Sequence, residues 1–126
     1  MSLRTPLGRV LGHGSAKSGT DHWWAQRVSG VALVVLGLWF AWSLTQLHGL
    51  AYGNVIEFLR VPLNGILLSL LCITVAYHSY LGIQVVVEDY VHSAALKVGS
   101  LIASRFAHVV VAAACVYSIL RIGLGA

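Results

Sequence analysis

His78 stands inside a long apolar run from about Val61 to Val87, and an ionisable ring held in lipid is costly unless it has a partner. Two roles suit it: hydrogen bonding to a neighbouring helix, or ligation of haem iron through a neutral ring nitrogen. Gly82 follows at i+4, one helical turn along the same face. There a missing side chain would admit a flat macrocycle or simply let two helices approach. A helix continued eleven residues beyond His78 brings Asp89 back to nearly the same face, about 16 Å further on, with Tyr90 beside it. A Tyr hydroxyl at a membrane surface can donate to a carbonyl of a lipid-soluble ligand, with Asp89 orienting it. The plainer alternative makes Tyr90 an interfacial anchor and Asp89 a solvated helix-end charge.

Arg27 enters the first apolar run from the same side and is expected at about the depth of Asp89 and Tyr90. It suits pairing with Asp89, with a haem propionate or with a quinone oxygen, or snorkelling to headgroups. Ser29 lies just inside and either joins this group or bonds its own helix backbone. His108 is the second histidine within an apolar run. Taken from the expected span ends, His78 lies about 13 Å deep and His108 about 6 Å deep. The two are thus not expected to clamp one iron, and His108 is read as a hydrogen-bonding residue. His13, His22, His48 and His92 fall outside the hydrocarbon region.

The elements that must carry these residues are visible in the composition. Of the 126 residues, 58% are hydrophobic and 10% charged, far from the ~25% charged of a soluble domain. The apolar residues fall into three blocks of roughly 20 residues, at about 28–47, 61–87 and 104–124, each near the length an α-helix needs to cross a bilayer. Only helices or closed barrels satisfy the backbone in lipid, and these blocks lack the alternation of barrel strands. The sequence therefore predicts an all-α membrane protein of one domain, residues 1–126, with three transmembrane helices.

Basic residues set the expected orientation. Arg4, Arg9, Lys17 and Arg27 precede the first block and Lys97 and Arg105 follow the second, against Arg60 and Arg121 on the other side. The N-terminus is predicted cytoplasmic and the C-terminus on the opposite side. The net charge of +4 is spread beside the spans, which suits anionic lipid and excludes a nucleic-acid patch. Cys72 and Cys115 sit inside the spans without metal-ligand spacing and read as small apolar core residues.

Residues 1 to about 20 are rich in Gly, Ser and basic residues and read as a cytoplasmic arm without a secretory signal. A bacterial cytoplasmic membrane is the expected location. The mitochondrial inner membrane is the alternative, because the arm is Arg-bearing and acid-free. Trp23 and Trp24 before the first span suit an interfacial belt. The connections at about 48–60 and 88–102 are too short for a soluble catalytic domain. The chain carries no dinucleotide fingerprint and no cysteine cluster for iron–sulfur ligation, so flavin or iron–sulfur chemistry is expected to belong to partners and the chain to be non-catalytic alone.

The sequence resembles the hydrophobic membrane anchor of succinate dehydrogenase, the smaller of the two subunits that hold haem b and ubiquinone. The resemblance rests on His78, Gly82 and the Asp89-Tyr90 pair at the family's spacing, on Arg27-Val28-Ser29 at the entry to the first span, and on the three-span plan. It covers nearly the whole chain after about residue 20. It implies His78 as one axial ligand of a b-type haem whose other ligand comes from the larger cytochrome b anchor subunit. It also implies Tyr90 as a hydrogen-bond donor to the quinone with Asp89 in support, and Arg27 near the haem propionates or the quinone. A flavoprotein subunit and an iron–sulfur subunit would supply the electrons. Glu88 before the Asp-Tyr pair and His92 after it depart from the pattern. Fumarate reductase anchors carry similar spans, and menaquinone is the alternative to ubiquinone. The rivals of other classes are a cofactor-free structural subunit and a small proton-coupled transporter, the latter disfavoured because all four acids lie in loops or at span ends.

Overall fold

The computed structural model describes residues 5–10 and 19–125. Most of the expected arm, including His13 and Lys17, lies outside the described residues. Within them the chain forms α1 (Pro6–Val10), α2 (Gly19–Gln46), α3 (Tyr52–Arg60), α4 (Pro62–Tyr90) and α5 (Ala94–Leu124). α2, α4 and α5 are long and apolar enough to cross a membrane, as the three blocks predict. At 28, 29 and 31 residues they exceed the ~20 needed for the hydrocarbon core, so their ends run on into the headgroup zone or tilt.

That extra length corrects the expected boundaries. The first helix starts nine residues before Val28 and the last starts ten before Ser104, because helices continue through interfacial charges such as Asp21, Arg27 and Lys97 that end a hydropathy block. The second connection shrinks to residues 91–93, and Lys97 reaches back over it to donate to the Glu88 carbonyl at 2.8 Å.

The first connection is not a plain loop. Gly49, at φ 106°, takes a left-handed turn after α2 that few side chains tolerate. Asn54 then donates to the carbonyls of His48 and Gly49 at 3.0 and 3.2 Å, tying α3 to that turn. α3 is amphipathic. Val55, Ile56, Phe58 and Leu59 point inward while Glu57 and Arg60 are exposed, as suits a helix lying in the membrane interface. Leu59 is buried, the Phe58 ring stacks on Trp39 of α2 with centroids 6.3 Å apart, and Asn64 of α4 donates to the Phe58 carbonyl at 3.0 Å. A Cβ on Gly123 would stand 3.2 Å from the Leu59 carbonyl, a tight contact that the glycine avoids where α3 and α5 approach. Pro62 at the start of α4 forgoes an amide that has no partner there anyway.

α4 is the middle helix of the layer, packed by α2 on one side and α5 on the other, and α3 closes one end against α4 and α5. Among the described residues few side chains are buried: Leu59, Leu81, Ile119, Ser29 and Ser43. Long stripes of Val, Leu and Trp face outward instead, including Val31, Val34, Leu38 and Trp42 on α2. Such a chain folds with lipid or partner helices as its solvent, since packing and hydrogen bonds rather than water exclusion hold helices together there.

Candidate functional site

His78 lies on the α2 side of α4. Its Nδ1 is 2.9 Å from the hydroxyl of Ser29 and its Nε2 is 3.2 Å from Nε2 of Gln26. The Ser29 hydroxyl has one proton, and the 2.7 Å contact to the Ala25 carbonyl takes it. Nδ1 is then the donor to Ser29, and in the neutral ring Nε2 keeps its lone pair and accepts from the Gln26 amide. The ring lies against α2 beside Gly30, where an added Cβ would make ordinary contact with His78 Cε1 at 3.5 Å. Gly82 faces α2 as well, its missing side chain 3.9 Å from the Gln26 amide nitrogen. The spacing of His78 and Gly82 therefore serves one helix face.

A cavity of about 660 Å³ opens along this face, lined by His22, Trp23, Gln26, Arg27, Val34 and His78 among others. Two buried polar atoms in it, His22 Nε2 and Gln26 Oε1, have no hydrogen-bond partner. Buried polar atoms are usually paired, so these two are open to a water or to a polar group of a guest. Arg27 holds its guanidinium 5.4 Å from the centre of the Trp23 ring, which in turn meets Trp24 edge to face at 5.0 Å.

His108 sits on the other side of α4. Its Nδ1 donates to the Ser104 carbonyl of its own helix at 2.7 Å, its Nε2 is 3.2 Å from the Ser79 hydroxyl, and its ring packs edge-on to Tyr80. Because Ser79 follows His78, the two histidines share one depth, contrary to the 13 and 6 Å read from the expected span ends. That error came from starting α5 at Ser104 rather than Ala94. The rings nonetheless face different helices and make no pair.

Asp89 and Tyr90 form the last turn of α4 and are exposed, Tyr90 by 77%. Among the described residues neither side chain makes a hydrogen bond. Nearby, Gln84 donates to Glu88 at 2.8 Å and His92 Nδ1 meets the Tyr90 carbonyl at 3.0 Å. Since Gly82 is level with Gln26 and α2 runs antiparallel to α4, Asp89 stands about 12 Å nearer the helix ends than Arg27. Arg27 thus belongs to the His78 level, and the expected meeting of Arg27 with Asp89 and Tyr90 does not form within this chain.

The family model for transmembrane subunits of succinate dehydrogenase and fumarate reductase matches residues 1–120. The chain belongs to this family. The succinate dehydrogenase hydrophobic membrane anchor subunit of Paracoccus denitrificans is 34% identical to it over 126 residues, which covers all of this chain and 97% of the relative. The subunit of the same name from Rickettsia bellii is 35% identical over 82% of each chain, and that of Rickettsia conorii 32% identical over 71% of each. No solved structure matches the chain. The three long apolar helices, together with likeness to transmembrane subunits along the full length, make the chain a membrane protein.

Within this family member, sequence reasoning missed Gln26 and His22. Gln26 is one turn before Gly30 and His22 one turn before Gln26, so all three fall on the α2 face that meets His78. The i, i+4, i+8 spacing was a usable signal. Its partner helix was not, because nothing in the sequence says that α2 rather than α5 faces His78.

Proposed function

We propose that this chain is a membrane anchor subunit of succinate dehydrogenase, oriented with its N-terminus in the cytoplasm, that contributes His78 to a haem b and Tyr90 to a quinone site. The observation that carries the reading is that His78 lines a cavity together with Arg27, its Nε2 meeting only the Gln26 amide. The residues fit the group: a neutral imidazole of the right tautomer, a glycine-flanked face at Gly30 and Gly82, two buried polar atoms without partners, and one arginine suited to a propionate. Bound there, haem supplies one-electron redox chemistry within the membrane.

His78 would hold the haem iron through Nε2 and the larger anchor subunit would supply its other protein ligand, while His108 bonds Ser104 and Ser79 on the other side of α4. Arg27, at the level of His78, supports the haem side of its two expected roles. Tyr90 and Asp89 lie about 10 Å or more along the axis from it, at the cytoplasmic end of α4, where the electrons from a flavoprotein subunit and an iron–sulfur subunit would arrive. A quinone oxygen gains negative charge as it is reduced, and the exposed Tyr90 hydroxyl is free to donate a hydrogen bond to it. Asp89 would orient that hydroxyl, and the quinone itself is taken as ubiquinone. Electron transfer then runs from succinate to quinone, and the location is a bacterial inner membrane.

The reading is tested by co-expressing the chain with its neighbouring subunits and measuring haem content and succinate-dependent quinone reduction of the purified complex. A b-type spectrum with quinone reduction is expected. A complex that assembles with no haem contradicts the cofactor assignment, and one that reduces fumarate but does not oxidise succinate contradicts the direction.

A further inference from the structure

Two intramembrane histidines solve the same problem differently, and the contrast singles out a residue with no assigned role. His108 satisfies Nδ1 locally, on the carbonyl four residues back in its own helix. His78 does not use its own helix; its Nδ1 goes across to α2, to the hydroxyl of Ser29. Ser29 is 6% exposed, one of two buried polar residues among those described, and its proton is already directed to the Ala25 carbonyl at 2.7 Å, with the Gln26 carbonyl at 3.1 Å. A hydroxyl so anchored has a lone pair left and a fixed direction in which to offer it.

We propose that Ser29 is the positioning residue of His78: it accepts the Nδ1 proton and so fixes the ring orientation and the tautomer that leaves Nε2 for iron. The inference rests on the haem-ligand reading of His78 and deepens it. A serine that merely bonded its own helix would need only the Ala25 contact. The chain His78 Nδ1–H to Ser29 Oγ–H to Ala25 carbonyl runs in one sense, so each bond polarises the next and makes the imidazole a stronger donor through Nε2. Gly30, the next residue, lies beside the ring, where an added Cβ would make ordinary contact with His78 Cε1 at 3.5 Å. On the other side Gln26 occupies the Nε2 lone pair with a flexible amide, which a metal can displace without disturbing Ser29.

A stronger axial donor favours the oxidised iron, so weakening it raises the midpoint potential. The test uses the assembled complex with wild-type chain, Ser29→Ala, Ser29→Thr and Ser29→Cys, and reads haem content, the haem midpoint potential and the low-temperature EPR signal of the oxidised haem. Ser29→Ala should keep its haem while the reduction equilibrium shifts about tenfold toward the reduced form, or roughly 59 mV for one electron, with a moved or broadened EPR signal. Ser29→Thr, which restores the hydroxyl, should return both readouts to wild type. Should Ser29→Ala fail to assemble, Ser29→Cys preserves shape with a poor acceptor and should show the same shift. A wild-type potential and EPR signal in the Ala or Cys variant overturns the inference, as does a Thr variant shifted as far as Ala. Loss of haem in His78→Ala together with indifference to Ser29 overturns this inference alone, whereas absence of haem from the wild-type complex overturns the ligand reading and this inference with it.

Discussion

His78 and His108 lie at one depth on opposite sides of α4, and their surroundings differ in kind. Around His108 each ring nitrogen has a partner from this chain, a backbone carbonyl on one side and a serine hydroxyl on the other, and the cavity beside it is lined mostly by apolar side chains such as Leu68, Val75 and Val111. Around His78 one nitrogen meets a buried serine and the other a side-chain amide, beside an arginine and two buried polar atoms without partners among the described residues. His108 is closed on groups of this chain, whereas the lining beside His78 holds two buried polar atoms without a partner among the described residues.

The comparison breaks most severely at Gly30. A leucine there must displace the His78 ring, since a Cβ alone would reach van der Waals contact with it. Haem per complex should fall by about tenfold or more, read from the reduced spectrum. Gly99→Leu on α5, where nothing lies within 4 Å, is the matched control and should leave haem content unchanged. Retention of haem in Gly30→Leu would mean that the His78 face is not the cofactor face.

Tyr90→Phe separates the cofactor level from the end of α4. Removing one hydrogen bond of about 1.4 kcal/mol should slow quinone reduction roughly tenfold while leaving the haem spectrum as it was. Steady-state kinetics with a soluble quinone check it, and unchanged kinetics would remove Tyr90 from the quinone site. On the other side of α4, His108→Leu should lower stability by about 1–3 kcal/mol by leaving the Ser79 and Ser104 groups without their partner, seen as a lower thermal midpoint in detergent with normal haem. The smallest effect is expected at the α3 end, where Asn64→Ala loses one hydrogen bond to the Phe58 carbonyl. About 1 kcal/mol of stability should go, with haem and quinone kinetics both unaffected.

Hydropathy made the three spanning helices legible, because only uninterrupted apolar length satisfies a backbone in lipid. It placed their ends badly, since Asp21, Arg27, Lys97 and Arg105 are helical residues in the interface or below it that hydropathy treats as boundaries. α3 was missed although Val55, Ile56, Phe58 and Leu59 carry the helical period, because nine residues between two spans were read as connection alone. His78 and Gly82 were legible as one face from spacing. The identity of the facing helix was not, and with it went Gln26, His22 and the cross-helix contact of Ser29, whose expected bonds to its own helix backbone do form. The depth of Arg27 failed for the same reason as that of His108: each was measured from a span end that the helix overruns.

The central claim is that His78 is the ligand histidine and His108 is not. Reduced-minus-oxidised spectra of the purified complex carrying wild-type chain, His78→Ala and His108→Leu test it most directly. The account predicts a b-type band in the wild type and in His108→Leu, lost or strongly shifted in His78→Ala; a band unchanged in His78→Ala, or lost only in His108→Leu, would contradict it.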